Sequence, residues 1–536
     1  MRSKKIGAAG RVVTFIDIGT NSVRMLVVRF NPNNSYSILT RQKQQVRLGE
    51  GEFDDEEIKP DAIDRTCLVC RKFVDLARTF SAEEFVAVAT SAAREAANQN
   101  ELLARLRREA LLDVRVISGL EEARLIYLGV SSGLHLGDRR AFFIDIGGGS
   151  TEISVGGQQQ YRMLESFRLG AIRLTNLFFS QNPSGPVRPD QYKLVQQYVK
   201  NAIIHTVQNL RRQKIDLAVG SSGSIMNLAD IAQRAFHPEG ITTPGVLTYR
   251  DLRKVIDLVC ALPLEERRRV PGINPERADI IIAGAVILET FMKELSLESV
   301  TTTTRGLQDG LLIDYLSRMD DFPLFGTLSP RERSVLQLGR SCGINEEHAR
   351  TVTRLVLEIF DSAKEMKLHD YGDWERELLE YAAFLHDIGS FISFTNHHAH
   401  SYYIIRNSEL LGFDQKEIDI MANIARFHRK KKPRKKRLDI LDFADHEQRM
   451  VLVLAMFVRL GESLDRSHAG FVEHAKFVRA DKNEVVLDII AQSDCQLEIW
   501  GVEAEQRAFE KVFSKRLTVE VIAPRTGGDG NSQKEP

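Results

Sequence analysis

Phe143–Glu152 reads FIDIGGGSTE, and its first five residues repeat an upstream stretch, Phe15–Gly19, FIDIG. Each copy follows a β-rich apolar run, so an apolar strand delivers an aspartate at its end and then enters a glycine-containing turn. Such a turn can present a carboxylate and free backbone N–H groups to a phosphate or a metal, because glycine allows close approach and successive N–H groups form an anion nest. Two unrelated buried strands could also end in glycine. Identity over five residues favours two halves built alike.

Outward from the repeat, strand and helix patterns alternate. The runs VRMLVVRF and SYSILTRQKQQVRL read as further strands, and DAIDRTCLVCRKFVDLARTF as an amphipathic helix. EFVAVATSAAREAAN and VRVISGLEEARLIYLGV each read as strand, turn and helix. The second half continues through IDLAVGSSGSIMNLADI and ADIIIAGAVILETFMKEL to SVTTTTRGLQDGLLIDYL. This alternation predicts an α/β domain pair with largely covered sheets. Beyond about Phe322 long helical patterns with several histidines take over, to about Ser467. The chain then reads as strands again (KFVRADKNEVVLDIIA, CQLEIWG, LTVEVIAP) around one helical run, EAEQRAFEKVFSKR. The expected domains are 11–136, 137–321 with a last helix able to return to the first domain, 322–472, and 473–524. RTGGDGNSQKEP, 525–536, is expected to be a disordered tail.

At 536 residues the chain exceeds one hydrophobic core, and 43% hydrophobic with 27% charged residues is an ordinary globular composition. Lys plus Arg balances Asp plus Glu at 73 each, so anion binding must come from local clusters. Cys67 and Cys70 have helical spacing and no second pair to complete a zinc site, which makes them buried helix residues. The N-terminus lacks an apolar signal region and no stretch of about 18 apolar residues occurs, so a cytoplasmic protein without a membrane partner is expected.

The glycine turn 147–149, with Ser150 and Thr151, can cradle phosphate; a purely structural tight turn is the alternative. Asp145 and Glu152 bracket it, and two carboxylates beside a phosphate cradle make sense chiefly with Mg²⁺, or Mn²⁺, between them and the phosphate. Asp17, Gly19, Asn21, Ser22 and Arg24 supply the opposite wall, and Arg94 follows a strand and a small-residue turn where a guanidinium could clamp phosphate or merely decorate a surface helix. Glu121 and Glu122 are adjacent, so only one can face a cleft, and spacing leaves the choice even. Gly220, Ser222, Gly223 and Ser224 form another glycine turn, which could equally be a plain strand end.

Taken in order, DIGTNSVRML, TSAAREA, SGLEEARLIYLGV, DIGGGSTE, VGSSGSI and RGLQDGLL resemble the signatures of the Ppx/GppA phosphatases, over about Val12 to Leu316. The resemblance implies two actin-like, ribonuclease-H-like α/β domains with the active site between them. It implies Glu122 as the water-activating base, Asp145 and Glu152 as acidic support for metal and water, and the Gly220–Ser224 turn as a further substrate contact. Family arginines at Arg24 and near Arg277 are linked to guanosine tetraphosphate, although an arginine there serves any polyanion. The substrate implied is inorganic polyphosphate, with release of orthophosphate. The alternatives are guanosine pentaphosphate hydrolysis, or a guanosine-tetraphosphate-binding regulator whose helical domain is the working enzyme. A kinase-like transfer fits less well, because the paired glutamates suit water activation.

His348, then His386 and Asp387, then Asp465 follow the H, HD, D order of HD phosphohydrolases, and His400 and His428 could complete a second divalent-metal site. An HD-type fold kept only for packing and dimerisation is the alternative. Residues 426–437 hold nine Lys or Arg, either a solvated loop or a polyanion track through Lys431, Lys432, Lys435 and Lys436. No nucleic-acid partner is expected, and related long members imply a homodimer.

Overall fold

The computed structural model describes residues 10–50, 56–158, 160–180, 184–237, 245–319, 328–429, 443–491 and 493–522. They form two compact units, Met1–Pro330 and Arg331–Pro536. The basic run with Lys431, Lys432, Lys435 and Lys436, and the tail 525–536, lie outside the described residues. Among the described residues no helix is long and apolar enough to cross a membrane.

The first unit holds two sheets built to one plan. In the first, β1 (Arg11–Ile18), β2 (Ser22–Phe30) and β3 (Tyr36–Gln45) form an antiparallel meander, and β4 (Glu84–Ala89) and β5 (Val114–Val116) extend it in parallel, in the order β3-β2-β1-β4-β5. In the second, β6 (Ala141–Ile146), β7 (Thr151–Gly156) and β8 (Tyr161–Phe167) form the meander. There β9 (Leu217–Ser221) pairs parallel to β6, and β10 (Val246–Thr248) and β11 (Ser299–Thr302) complete the order β10-β11-β9-β6-β7-β8. The repeated FIDIG predicts two halves built alike, and these are the twin ribonuclease-H-like sheets that the family resemblance implies.

The two-residue period of the strands decides where the repeat points. Val13 and Phe15 of β1, with Ala141 and Phe143 of β6, enter one core shared by both sheets. Ile16 and Ile18 turn to the core under the Pro60–Thr79 helix, while Ile144 and Ile146 turn to the core of the second half. Asp17 and Asp145 stand two residues beyond Phe15 and Phe143, so each aspartate emerges at the edge of the shared core, on the side of its sheet that meets the other half. Burying each phenylalanine contributes about 1.5–3 kcal/mol, which fixes this register against a one-residue slip.

The helix Gly119–Ser131 starts at Ser118, whose Oγ accepts from Glu121 N at 3.2 Å. Its far end meets the Leu307–Ser317 helix backbone to backbone: a Cβ on Gly310 would stand 1.8 Å from Leu125 O, and one on Gly129 2.1 Å from Gly306 O. The Leu307–Ser317 helix thereby joins the shared core alongside β1 and β2. Cys67 and Cys70 are buried on the Pro60–Thr79 helix.

Among the described residues of the second unit eight α-helices pack with a three-stranded sheet, β12 (Val472–Ala480), β13 (Glu484–Ala491) and β14 (Arg516–Ile522). The sheet's Ala475, Phe477, Leu487 and Ile489 share one continuous core with Val356, Phe360 and Phe457 of the helices. Helical and α+β regions, separate in the sequence reading at 472, are thus one body. CQLEIWG, read as a strand, lies in a helix, Gln496–Ala504. Helical winding turns Glu498 inward, where it accepts from Ser467 N at 3.1 Å, and brings Gly501 so close to Ser463 that a Cβ on it would stand 3.2 Å from Ser463 Cβ. The apolar alternation of that stretch is overridden by these tertiary contacts.

Candidate active site

Both repeats close with the same bond. Gly19 N donates to Ser22 O at 3.1 Å, and Gly147 N donates to Ser150 O at 2.9 Å. The register then sets Asp17 opposite Arg24 in the first hairpin and Asp145 opposite Glu152 in the second. Both turns line one cleft, together with Gly19, Asn21, Ser22, Glu122 and the Gly147–Ser150 turn. No acceptor takes the N–H of Gly148 or Gly149 among the described residues, which leaves these donors for an anion. The turn's outer side is sealed, since a Cβ on Gly170 would lie 2.2 Å from Gly148 O.

Glu122 and not Glu121 faces the cleft. Glu121 is tied outside by Arg124, whose Nε and Nη2 donate to it at 2.7 and 2.9 Å. Glu122 is 7% exposed, and Arg94 Nη1 donates to its Oε2 at 3.0 Å and to Ile117 O at 2.9 Å. Arg94 therefore anchors the carboxylate rather than standing free for phosphate. Burial pushes Glu122 up to about 7, against the pull of Arg94.

Three more carboxyls converge. Asp17 is pushed up to about 6, by burial first, and its Oδ1 is buried without a hydrogen-bond partner. Asp145 is raised by burial although Ser221 Oγ donates to it. Glu152 stands well above the usual carboxylate range through burial and the nearby Glu122 charge, while Ser166 Oγ donates to its Oε1 at 2.8 Å. Four buried acids that repel one another are poorly balanced alone. No three of their ligand atoms lie mutually within 4.8 Å, but a hard divalent cation such as Mg²⁺ would offset their charge, and the unpartnered Asp17 Oδ1 is an oxygen donor that could meet it. Thr151, by contrast, turns away from the cleft and its Oγ1 is bonded to Leu169 O at 2.5 Å.

The third glycine turn completes the floor. Ser222 adopts φ +84°, held by its Oγ donating to Ile146 O at 2.8 Å, and Gly223 and Ser224 line the cleft. Arg277 lies on Gly223 so closely that a Cβ there would meet its Nη2 at 2.2 Å. Arg24 and Arg277 enter the same cleft, and burial with the Arg24 charge draws Arg277 down to about 10. Two guanidinium groups held near each other favour an anion between them. Lys43, exposed on β3 and in register with Arg24, is a cation beside the cleft that the motifs did not reveal; partial burial, with Arg277 and Arg24 near it, draws it down to about 8. A larger cavity of about 380 Å³ lies beside the cleft, lined by residues such as Arg47, Lys59 and Phe179, and carries none of the glycine turns.

In the second unit the histidine pattern resolves differently from its sequence reading. His348, His386 and Glu462 form one group of mutually close ligand atoms, and Asp387, His397 and His428 another. His400 belongs to neither, because His397, one helical turn earlier, takes the inward position. Asp465 is not among the grouped ligands either; its Oδ2 lies 2.7 Å from His348 Nδ1, behind the ring.

The Ppx/GppA phosphatase family matches residues 26–319, and Ppx/GppA phosphatase domain III matches 331–506. An exopolyphosphatase from Cytophaga hutchinsonii is 26% identical, covers 58% of this chain and 99% of its own length, and superposes with a TM-score of 0.53. An exopolyphosphatase-like protein is 25% identical over 57% of this chain and 98% of its own, with a TM-score of 0.52. The Aquifex aeolicus PPX-GPPA enzyme is 30% identical over 57% of this chain and 99% of its own, with a TM-score of 0.47.

Proposed function

This chain belongs to the Ppx/GppA phosphatase family, hydrolases of phosphoanhydride bonds, and we propose that it removes the terminal phosphate of inorganic polyphosphate as orthophosphate. The observation that carries the reading is the buried Glu122, held by Arg94 at 3.0 Å in a cleft shared by both glycine hairpins. The N–H groups of Gly148 and Gly149, with Ser150, would hold the terminal phosphoryl oxygens, and Arg24, Lys43 and Arg277 the phosphates that follow. Glu122 would take a proton as the water oxygen bonds to the terminal phosphorus and the bridging P–O bond breaks, leaving a chain one phosphate shorter. Asp145 and Glu152, with Asp17 close by, would hold Mg²⁺ or Mn²⁺, which when bound offsets charge on the phosphates.

A second substrate, guanosine pentaphosphate converted to guanosine tetraphosphate, is favoured by the convergence of Arg24 and Arg277 beyond the glycine nest. Phosphate release from long-chain polyphosphate and from guanosine pentaphosphate, by wild type and Glu122→Gln, tests both. Loss of release from the preferred substrate in the variant is expected; a variant retaining wild-type rates on both would remove Glu122 from the reaction.

A further inference from the structure

We propose that the second unit carries a two-ion metal centre of its own, formed by His348, His386 and Glu462 around one ion and Asp387, His397 and His428 around the other, which hydrolyses phosphate monoesters. The four histidines come from four different helices or helix ends and are 0–4% exposed. Each ring is fixed from behind. His386 Nδ1 faces Ala383 O at 2.6 Å, His397 Nδ1 faces Phe394 O at 3.0 Å, and His428 Nδ1 faces Ala425 O at 2.5 Å. His348 Nδ1 faces the Asp465 carboxylate at 2.7 Å. A carbonyl or carboxylate only accepts, so each Nδ1 carries a proton and each ring turns its Nε2 inward, where a bound ion would take its lone pair. Histidine ligands of metals are oriented in this way.

His397 Nε2 and His428 Nε2 lie 3.2 Å apart, and Asp387 Oδ1, 3.1 Å from His397 Nε2, is buried without a hydrogen bond. His386 Nε2 and His348 Nε2 converge on Glu462 Oε2 at 2.9 and 3.2 Å. Ligand atoms held about 2.0–2.1 Å from a shared ion stand roughly 3 Å from one another, the edge length seen in both groups. The groups adjoin, for Asp387 follows His386 and the His386 and His428 rings are 5.2 Å apart. Three protein ligands per ion leave positions for water and a phosphate oxygen.

Beside the centre Arg429 donates from Nη2 to Glu462 Oε1 at 2.8 Å while 41% of its side chain stays exposed. Its guanidinium stands 5.8 Å from the ring of Phe394, and Phe391 and Phe394 are 66% and 73% exposed. A cation next to exposed aromatic rings suits a phosphate ester with an aromatic alcohol portion. The water oxygen bonds to phosphorus, the P–O ester bond breaks, one water proton passes to the departing alkoxide and the other stays on the phosphate, giving an alcohol and orthophosphate.

The test uses full-length protein stripped with chelator, reconstituted with Mn²⁺ and assayed with p-nitrophenyl phosphate. Wild type should show the exchange-coupled electron paramagnetic resonance spectrum of paired Mn²⁺ ions, which an isolated ion in the first unit cannot give, and should release p-nitrophenol. Folded His428→Gln should lose both signals, His400→Gln should keep both, and Asp465→Asn should weaken Mn²⁺ binding about 10- to 100-fold. If wild type shows only uncoupled Mn²⁺, protons and not metals bridge these groups and the proposal fails, whether or not any variant folds. Wild-type p-nitrophenol release by folded His428→Gln would equally overturn it.

Discussion

Arg94 reaches Glu122 at 3.0 Å while its same nitrogen holds Ile117 O at 2.9 Å, so the guanidinium fixes where the carboxylate points and how readily it ionises. A base must be ionised to accept a proton, and burial has pushed Glu122 up to about 7. The acid limb of kcat/KM in the free enzyme should therefore fall near pH 7, with activity rising as pH increases through it. Arg94 favours the ionised form, and Arg94→Gln removes that pull. The limb should move to higher pH and the maximal rate should drop; a profile measured between pH 5 and 9 with unchanged limb position would contradict this.

Glu121 and Glu122 should separate cleanly. Glu122→Gln removes the base and is expected to lower kcat by about 10²- to 10⁴-fold, with KM changed far less. Glu121→Gln breaks only a partly exposed pair with Arg124, worth about 1 kcal/mol or less, and should leave kcat within a few-fold. Steady-state phosphate release on one substrate preparation compares the two.

Gly310→Ala sets two effects against each other. By helix propensity alone alanine would stabilise by about 1 kcal/mol. Here its methyl would stand 1.8 Å from Leu125 O, a backbone atom of the helix that carries Glu122. The helices must part, at a cost of about 1–3 kcal/mol or more, so overpacking wins. Urea unfolding should show a lower midpoint, and kcat should fall because Glu122 shifts with its helix.

Gly223→Ala meets a different neighbour. Its methyl would lie 2.2 Å from Arg277 Nη2, the far end of a flexible side chain that can swing away. Stability should change little, whereas KM for the phosphoanhydride substrate should rise several-fold as the guanidinium leaves the cleft. Thermal unfolding and the KM against kcat split distinguish this from a folding defect.

The aspartates were legible because a strand has period two: once Phe15 and Phe143 are recognised as core, Asp17 and Asp145 must share their face. The choice between adjacent Glu121 and Glu122 was not, since it depends on Arg124 capturing one and Arg94 the other. The second unit failed more subtly. His397 and His400, like Glu462 and Asp465, are three residues apart on a helix, so each pair shares a face and spacing alone treats its members as equals. Which one reaches inward depends on packing between helices, and glutamate falls outside an H, HD, D pattern. Glu462 could have been found only by asking which other carboxylate lies one turn from Asp465.

The paired hairpins agree in backbone and differ in chemistry, for the strand position that holds Arg24 in one holds Glu152 in the other. A duplicated cradle with identical side chains would present the same chemistry to both ends of a bound phosphoanhydride. Here the repeat is broken where it matters for charge: one flank carries a cation and the other a carboxylate, so the two ends of a captured anion meet unlike surroundings.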